Sequence, residues 1–551
     1  MNKEKMKQSL LMGALTSSFG IFVSKLLGLL YYSPLSQLAG EANMAFYSIV
    51  YTYYDLLLQI SQAGIPFAIA SLVAKYSSKN DYKTVLTVRK TGTSIVVGLS
   101  AAVALVLLLI ADPLSRQSLG FSAPIEDIRS LRIMFNILAI AVIIVPLLSA
   151  VRAYVQGLKR LDLYASSQVL EQFVRVFSIL VLAYVFVKLL SFKEIWAIYA
   201  AIAAASLGAA AAYLYTVSLS RKDVAEVQEL ARQQTDEESH NEKEILKEIL
   251  TLGVPYVIIS FLGTAGPLVN TTFFLDYMSK VNGPSIYESA KLASGILQAN
   301  VAKIANIPSV LALGFGSGMV PYLAESLEKH DNEKITRQIN QILDTVCYIL
   351  IPMISVFVFF AKDIYYIMYG NYNLPLGTKL FAVSCIQIFL GTIAPIFSSI
   401  MMSLKLRKDA IIALIISFVI KFVSFFPMVR LFGAYGMIYS SGLYYLSQIV
   451  LYFYSLRKNF NINIKEASRR FIFIVLSSLL MVVPAMAIHD IIPFDYVNSI
   501  TGRLKDVLIM GGLGIIMLIV YYFASVGFSI PQKIFDMEDI SVRKLISRLR
   551  R

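Results

Sequence analysis

Runs of about 20 apolar residues, separated by short polar loops, recur along the whole chain. A run of that length is what a helix needs to cross a hydrocarbon core. The pattern predicts fourteen spanning helices, at 10–32, 44–74, 86–110, 133–153, 163–187, 195–219, 249–273, 295–323, 340–361, 378–403, 410–429, 434–456, 471–489 and 506–527. The first run is too long for a cleaved leader and lacks a small-residue cleavage site. The period-two alternation of a membrane barrel is missing, so the predicted fold class is all-α, a polytopic membrane protein.

Composition sharpens this reading. Of 551 residues, 57% are hydrophobic and 15% charged, whereas soluble chains carry roughly 25% charge. That excludes a soluble enzyme, a disordered chain and a disulfide scaffold. Cys347 and Cys385 lie in apolar stretches, and His240, His330 and His489 are too scattered to bind a metal. The net charge of +14 invites a nucleic-acid reading, but its distribution removes it. With the N-terminus inside, the inner loops carry 33 Lys and Arg, the outer loops 12 and the spans four. This positive-inside excess places both termini in the cytoplasm.

Polar stretches divide the chain. Residues 1–219 make an N-terminal six-helix lobe, 220–248 a cytoplasmic linker and 249–458 a C-terminal six-helix lobe. Residues 459–529 hold helices 13 and 14, and 530–551 a basic amphipathic tail suited to an anionic inner leaflet. SLVAKYSSKNDYK at 71–83 is echoed by YLAESLEKHDNEK at 322–334, which suggests a parallel repeat of the lobes.

Charge inside a span costs at least a few kcal/mol unless paired or wet, so each such residue is a functional candidate. Lys25 lies in S-K-L-L-G of the first span, with Ser24 before it. Its alternative role is a lysine snorkelling to the outer interface. Tyr51, Asp55, Gln59, Gln62 and Pro66 fall on one face of the second span, and Asp55 reaches a depth that allows a pair with Lys25. Glu171 and Arg175 stand one turn apart on the fifth span, beside Gln168 and Gln172. That spacing predicts pairing on their own helix, either as a polar lock between helices or as cavity lining. Lys303 shares a face with Asn300 and Asn306 above a Gly/Pro-rich stretch that predicts a broken helix. Lys421 has no acid nearby in sequence and is a further candidate for the same cavity. Four cations against two acids suit an anionic cargo. No phosphate-binding Gly-rich loop is present, so the chain does not hydrolyse nucleotide by itself. His489-Asp490 has no nucleophile motif beside it, and no loop resembles a channel filter.

S-K-L-L-G at 24–28, A-G-I-P at 63–66, V-R-A-Y-V-Q-G at 151–157 and Q-V-L-E-Q-F-V-R at 168–175, in this order within a six-plus-six-plus-two plan, resemble the MurJ-type lipid II flippases. These belong to the multidrug/oligosaccharidyl-lipid/polysaccharide exporter superfamily, and the chain is most similar to the branch typified by YtgP and SpoVB. The resemblance covers essentially the whole chain. It implies a transporter rather than an enzyme, moving undecaprenyl-pyrophosphate-linked peptidoglycan precursor from inner to outer leaflet by alternating access. Helices 13 and 14 would form a groove for the polyprenyl tail. It implies no cofactor, with energy from membrane potential or an ion gradient, and as partners membrane lipids and cell-wall synthesis enzymes, not nucleic acid. Lys25 stands where the family motif has a cavity arginine. The family's further cavity arginines would fall near Tyr31 and near Leu58 or Gln59, where this chain has no cation. Lys303 is therefore the expected second contact to the pyrophosphate, with Asp55 holding Lys25 when cargo is absent. Some members bind sodium on helices 7, 11 and 12, but those spans lack a mid-membrane carboxylate here. Glycine and proline at 253, 255, 263, 266 and 267 predict a seventh span that bends between states. The alternatives in the same transporter class are a flippase for a capsule or teichoic acid precursor and a cation-coupled drug exporter. A membrane enzyme acting on lipid-linked sugars is the alternative from another class.

Overall fold

The computed structural model describes residues 28, 31–120, 122–234, 240–309, 323, 326–327, 329–460, 465–492, 494, 496 and 500–535. Every regular element among them is helical. Among the described residues, ten helices are long and apolar enough to cross a membrane, and they are the predicted spans 3–7, 9–11, 13 and 14. The chain is thus a multi-pass membrane protein. Predicted span 1 lies almost wholly outside the described residues, as does much of span 8. Span 12 is present as a 27-residue helix, Ala434–Phe460, whose Gly436, Ser440, Ser441, Gly442 and Gln448 lower its hydropathy. The chain groups into two compact units, Met1–Ala299 and Asn300–Arg551.

In the first unit, short α1 (Tyr32–Ala39) precedes α2 (Met44–Ala63) and α3 (Ile65–Ser78). The second predicted span is thus two helices that meet at Gly64. Pro66 accounts for the break: it lacks a donor, and its ring would clash with the carbonyl one turn earlier in a continuous helix. The break coincides with a helix crossing. A β-carbon on Gly64 would stand 2.8 Å from the carbonyl oxygen of Gly253 and 2.2 Å from Val257. Small residues of this kind let helix backbones approach within a membrane. Gly64→Val should cost about 1–3 kcal/mol through overpacking, read as a lower melting temperature of purified protein. A wild-type melting curve would show that the crossing is not tight.

Next come α4 (Tyr82–Leu119), α5 (Ile125–Gly157), α6 (Leu161–Tyr184), α7 (Ile195–Leu219), α8 (Arg221–Gln233) and α9 (Glu242–Asn282). α6 ends in a π-helical turn, Val185–Leu189. α9 is the seventh predicted span and runs unbroken for 41 residues, started by a capping box between Asn241 and Glu244. α10 (Tyr287–Gly295) completes the unit.

The linker predicted at 220–248 holds α8, whose Val227 and Ala231 are buried. Val227 joins a core with Leu72, Val85, Tyr154, Ile245 and Ile249. Gln234 donates to the Asp81 carboxylate and accepts from the Lys83 amide, and the His240 amide donates to Thr84. Arg160 pairs with Asp223 at 2.6 Å, and Lys90 with Glu242 at 2.7 Å. The basic loops at 75–90, 152–160 and 221–247 therefore share one end of this unit, as the charge count requires. Asp81 also caps α4 by accepting from Thr84. Burial alone would raise its carboxyl, but hydrogen bonds from Thr84 and Gln234 outweigh that and hold it below the usual range. The cap is thus complete at neutral pH and weakens as acid protonates it.

The second unit begins inside the eighth span and continues with α11 (Asn332–Phe359), α12 (Ala361–Tyr369), α13 (Leu374–Ser403), α14 (Arg407–Phe432) and α15 (Ala434–Phe460). α16 (Lys465–Ile491), α17 (Ile500–Gly527) and α18 (Ile530–Phe535) follow. Helices α16 and α17 share a core of Met481, Val482, Ala485, Leu513, Met517 and Tyr521 with Phe360. They are tied to α11 by an Arg470–Asp344 pair at 2.6 Å and a Tyr521 hydroxyl donating to the Tyr348 carbonyl at 2.7 Å. Of the basic tail predicted at 530–551, only the first turns are described. Ile530 and Ile534 are buried there against Ile351 and Ile474.

Candidate functional site

In the first unit the candidates on α2 and α6 converge on a tyrosine cluster. Tyr51 stacks on Tyr47 at 5.6 Å between ring centres and leans on Tyr54 at 5.9 Å. The Tyr31 and Tyr47 hydroxyls are 2.8 Å apart. Arg175 is 94% buried (6% exposed), with its guanidinium carbon 5.3 Å from the Tyr54 ring centre and 5.8 Å from that of Tyr51. Cation–π contacts of this kind strengthen when desolvated. Its Nε has no hydrogen-bond partner among the described residues. A void of about 10 Å³ lies beside it, lined by Tyr47, Tyr51, Tyr54, Leu138 and Ala205, about the size of one water.

Glu171 is not paired with Arg175. Its carboxylate accepts from Arg152 Nη1 at 2.6 Å, and Arg152 Nε donates to Ser167 at 2.7 Å. Geometry explains the change from the predicted pairing along one helix. Gly208 on α7 would place a β-carbon 2.7 Å from the Glu171 carbonyl oxygen and 3.0 Å from the Arg175 Cβ. α7 thus presses on the backbone of this turn, while α5 brings in Arg152. Glu171 is a polar lock between α5 and α6, leaving Arg175 to the tyrosines. Arg152 is not among the sequence candidates, because it stands at the inner end of the fourth predicted span and is counted with the loop cations. Its placement in V-R-A-Y-V-Q-G, straight after an apolar run, was the available signal.

Asp55 is half-buried on α2, close enough to Tyr51 and Tyr54 for its charge to act on both. Gln59 and Gln62 belong to the same helix, but their side chains lie outside the described residues. Ser24 and Lys25, with the predicted Lys25–Asp55 pair, also lie outside them.

In the second unit Asn300 is fully buried and Lys303 is 9% exposed. They flank the end of a π-helical turn, Ile296–Val301, a feature frequent at functional sites. Asn300 donates to the Tyr365 hydroxyl at 3.2 Å, and its carbonyl accepts from Tyr369 at 2.9 Å. Asn300 therefore ties the eighth span to α12. This turn lies before Pro308; the break predicted in the Gly/Pro-rich stretch at 310–321 falls outside the described residues. Lys421 does not line open space. It is fully buried and donates to Ser440 and Ser441 at 2.8 and 2.9 Å, which joins α14 to α15.

A cavity of about 360 Å³ in this unit is almost wholly apolar. Ile351, Val358, Ile386, Phe389, Phe471 and Val475 line it, from α11, α13 and α16.

The model of the polysaccharide biosynthesis protein family matches residues 10–327. The chain is 25% identical over 515 residues to the lipid II flippase MurJ of Bacillus subtilis (strain 168), covering 92% of this chain and 93% of that one. Among solved structures, a lipid II flippase MurJ in an inward closed conformation shares the fold with a TM-score of 0.65 at 14% identity. That match covers 93% of this chain and 98% of the other. An inward-facing multidrug resistance MATE family transporter matches with a TM-score of 0.62 at 14% identity, covering 79% of this chain and 95% of the other.

Proposed function

We propose that this chain, which belongs to the polysaccharide biosynthesis protein family, is a flippase that carries lipid II, the undecaprenyl-pyrophosphate-linked peptidoglycan precursor, from the inner to the outer leaflet. The observation that carries this reading is Arg175, a guanidinium in the membrane interior held by tyrosine rings, while the nearby carboxylate of Glu171 is taken by Arg152. A cation kept there at a cost of several kcal/mol suits a doubly charged phosphate linkage better than a neutral cargo. The apolar cavity between α11, α13 and α16 is our choice for the polyprenyl tail, since each buried methylene gains about 0.8 kcal/mol. Similarity to a lipid II flippase over 92% of the chain supports this cargo. The drug-exporter fold leaves about a fifth of the chain unmatched, which argues against that reading.

The test is a bacterial strain depleted of its own lipid II flippase. Expression of this protein should restore growth and the appearance of lipid II in the outer leaflet under leaflet-specific labelling. Growth without outer-leaflet lipid II would point to another polyprenyl-linked glycan.

We also place both termini and the 220–248 segment in the cytoplasm, on the charge bias of the loops. With Cys347 and Cys385 replaced, single cysteines at 235 and 284 should react with an impermeant thiol reagent from opposite sides of intact cells. External labelling at 235 would invert the topology.

A further inference from the structure

A second cavity of the first unit, about 490 Å³, opens between α3, α5 and α6. That volume is within the range of small-ligand sites. Its polar lining is Ser71, Ser149, Arg152, Gln156, Tyr164 and Gln168. Phe67, 44% exposed, and Pro66 supply an apolar wall. The cavity sits toward the end where the basic loops gather: Lys75, one turn beyond Ser71, pairs with Glu248 at 3.1 Å.

The chemistry of this lining differs from that around Arg175. Arg152 is neutralised by Glu171 at 2.6 Å, so the cavity wall carries no net charge and offers a diphosphate little. It is instead dense in neutral hydrogen-bonding groups. Gln168 donates to the Tyr164 hydroxyl at 3.0 Å, which leaves the Tyr164 proton and the Gln168 carbonyl for a ligand. Ser149 spends its proton on the Val145 carbonyl and keeps its lone pairs. Ser71 and Gln156 make no side-chain hydrogen bond with any described residue. Arg152 itself is 94% buried (6% exposed), and its Nη2 has no partner among the described residues. Carboxamides and hydroxyls that both donate and accept, set beside an aromatic face, match a ring bearing many hydroxyls and acetamido groups.

We propose that this cavity is a carbohydrate subsite that holds the sugar of a lipid-linked glycan in its cytoplasm-facing half, apart from the groups that meet the phosphates. The proposal rests on the flippase reading. It makes Ser71, Gln156, Tyr164 and Gln168 determinants of glycan affinity.

The test uses full-length protein in lipid nanodiscs, with lipid II and undecaprenyl pyrophosphate as the two probes. Ser71→Ala combined with Gln156→Ala removes two side-chain groups that have no partner among the described residues, so no hydrogen bond among those residues is lost. Wild-type protein should bind lipid II more tightly than the sugar-free lipid. The double variant should lose about tenfold in lipid II affinity, as expected for two hydrogen bonds, and keep its affinity for undecaprenyl pyrophosphate. Equal lipid II binding by variant and wild type, or an equal loss for both probes, overturns the sugar subsite and leaves the flippase reading standing. Wild-type protein that binds neither probe overturns the flippase reading, and the subsite with it.

Discussion

Glu171→Ala will lower the stability of the protein by about 3–5 kcal/mol, the usual cost of removing one partner from a buried ion pair. The Arg152 and Glu171 side chains are 7% and 11% exposed and 2.6 Å apart. Without the carboxylate, Arg152 keeps only Ser167 as a partner among the described residues, and Arg175 stands one turn from Glu171 with its Nε unsatisfied among them. Two buried guanidinium groups would then lack the Glu171 carboxylate that neutralises one of them. Replacing both partners together, Glu171→Leu with Arg152→Met, should restore most of the loss, because apolar isosteres need no compensation. Thermal aggregation of the purified protein, followed by its monomeric fraction after heating, measures both. A Glu171→Ala protein as stable as wild type would mean that water reaches this pair.

Hydropathy makes most of this fold legible, because a bilayer lets apolar runs declare themselves without a partner surface. It fails where a break or a partner is set by tertiary contact. Pro66 was read as one more position on a polar stripe, yet the helix ends before it, where Gly64 meets the backbone of Gly253. Local spacing offers Glu171 only Arg175, but α5 supplies Arg152 from nineteen positions earlier. The linker was legible as polar, while its packing depends on Val227 and Ala231, two small apolar residues in a strongly charged stretch. At the site, Tyr51 was found through its place on the stripe. Tyr47 and Tyr54, which complete the ring contacts around Arg175, carry no charge and gave no signal against a background of 32 tyrosines.

Lys303→Met will abolish transport by the protein that remains folded. The side chain is 9% exposed in a membrane-spanning segment, just after a π-helical turn. An ammonium there costs a few kcal/mol unless paired or wet, and methionine of similar length removes the charge without opening a cavity. A merely structural lysine predicts a lower melting temperature, with transport falling only as far as folded protein does. A cargo-binding lysine predicts folded protein that loses about 2–5 kcal/mol of affinity for the diphosphate, the usual penalty for deleting one member of a buried charge pair. Lys303→Arg should keep much of the activity, since the contact is to charge more than to shape. Asn300→Ala separates this effect from the helix geometry. Asn300 bonds Tyr365 and Tyr369, so its loss should lower the melting temperature, with transport falling only as far as folded protein does. Growth of the depleted strain on Lys303→Met at normal expression would remove Lys303 from the cargo site.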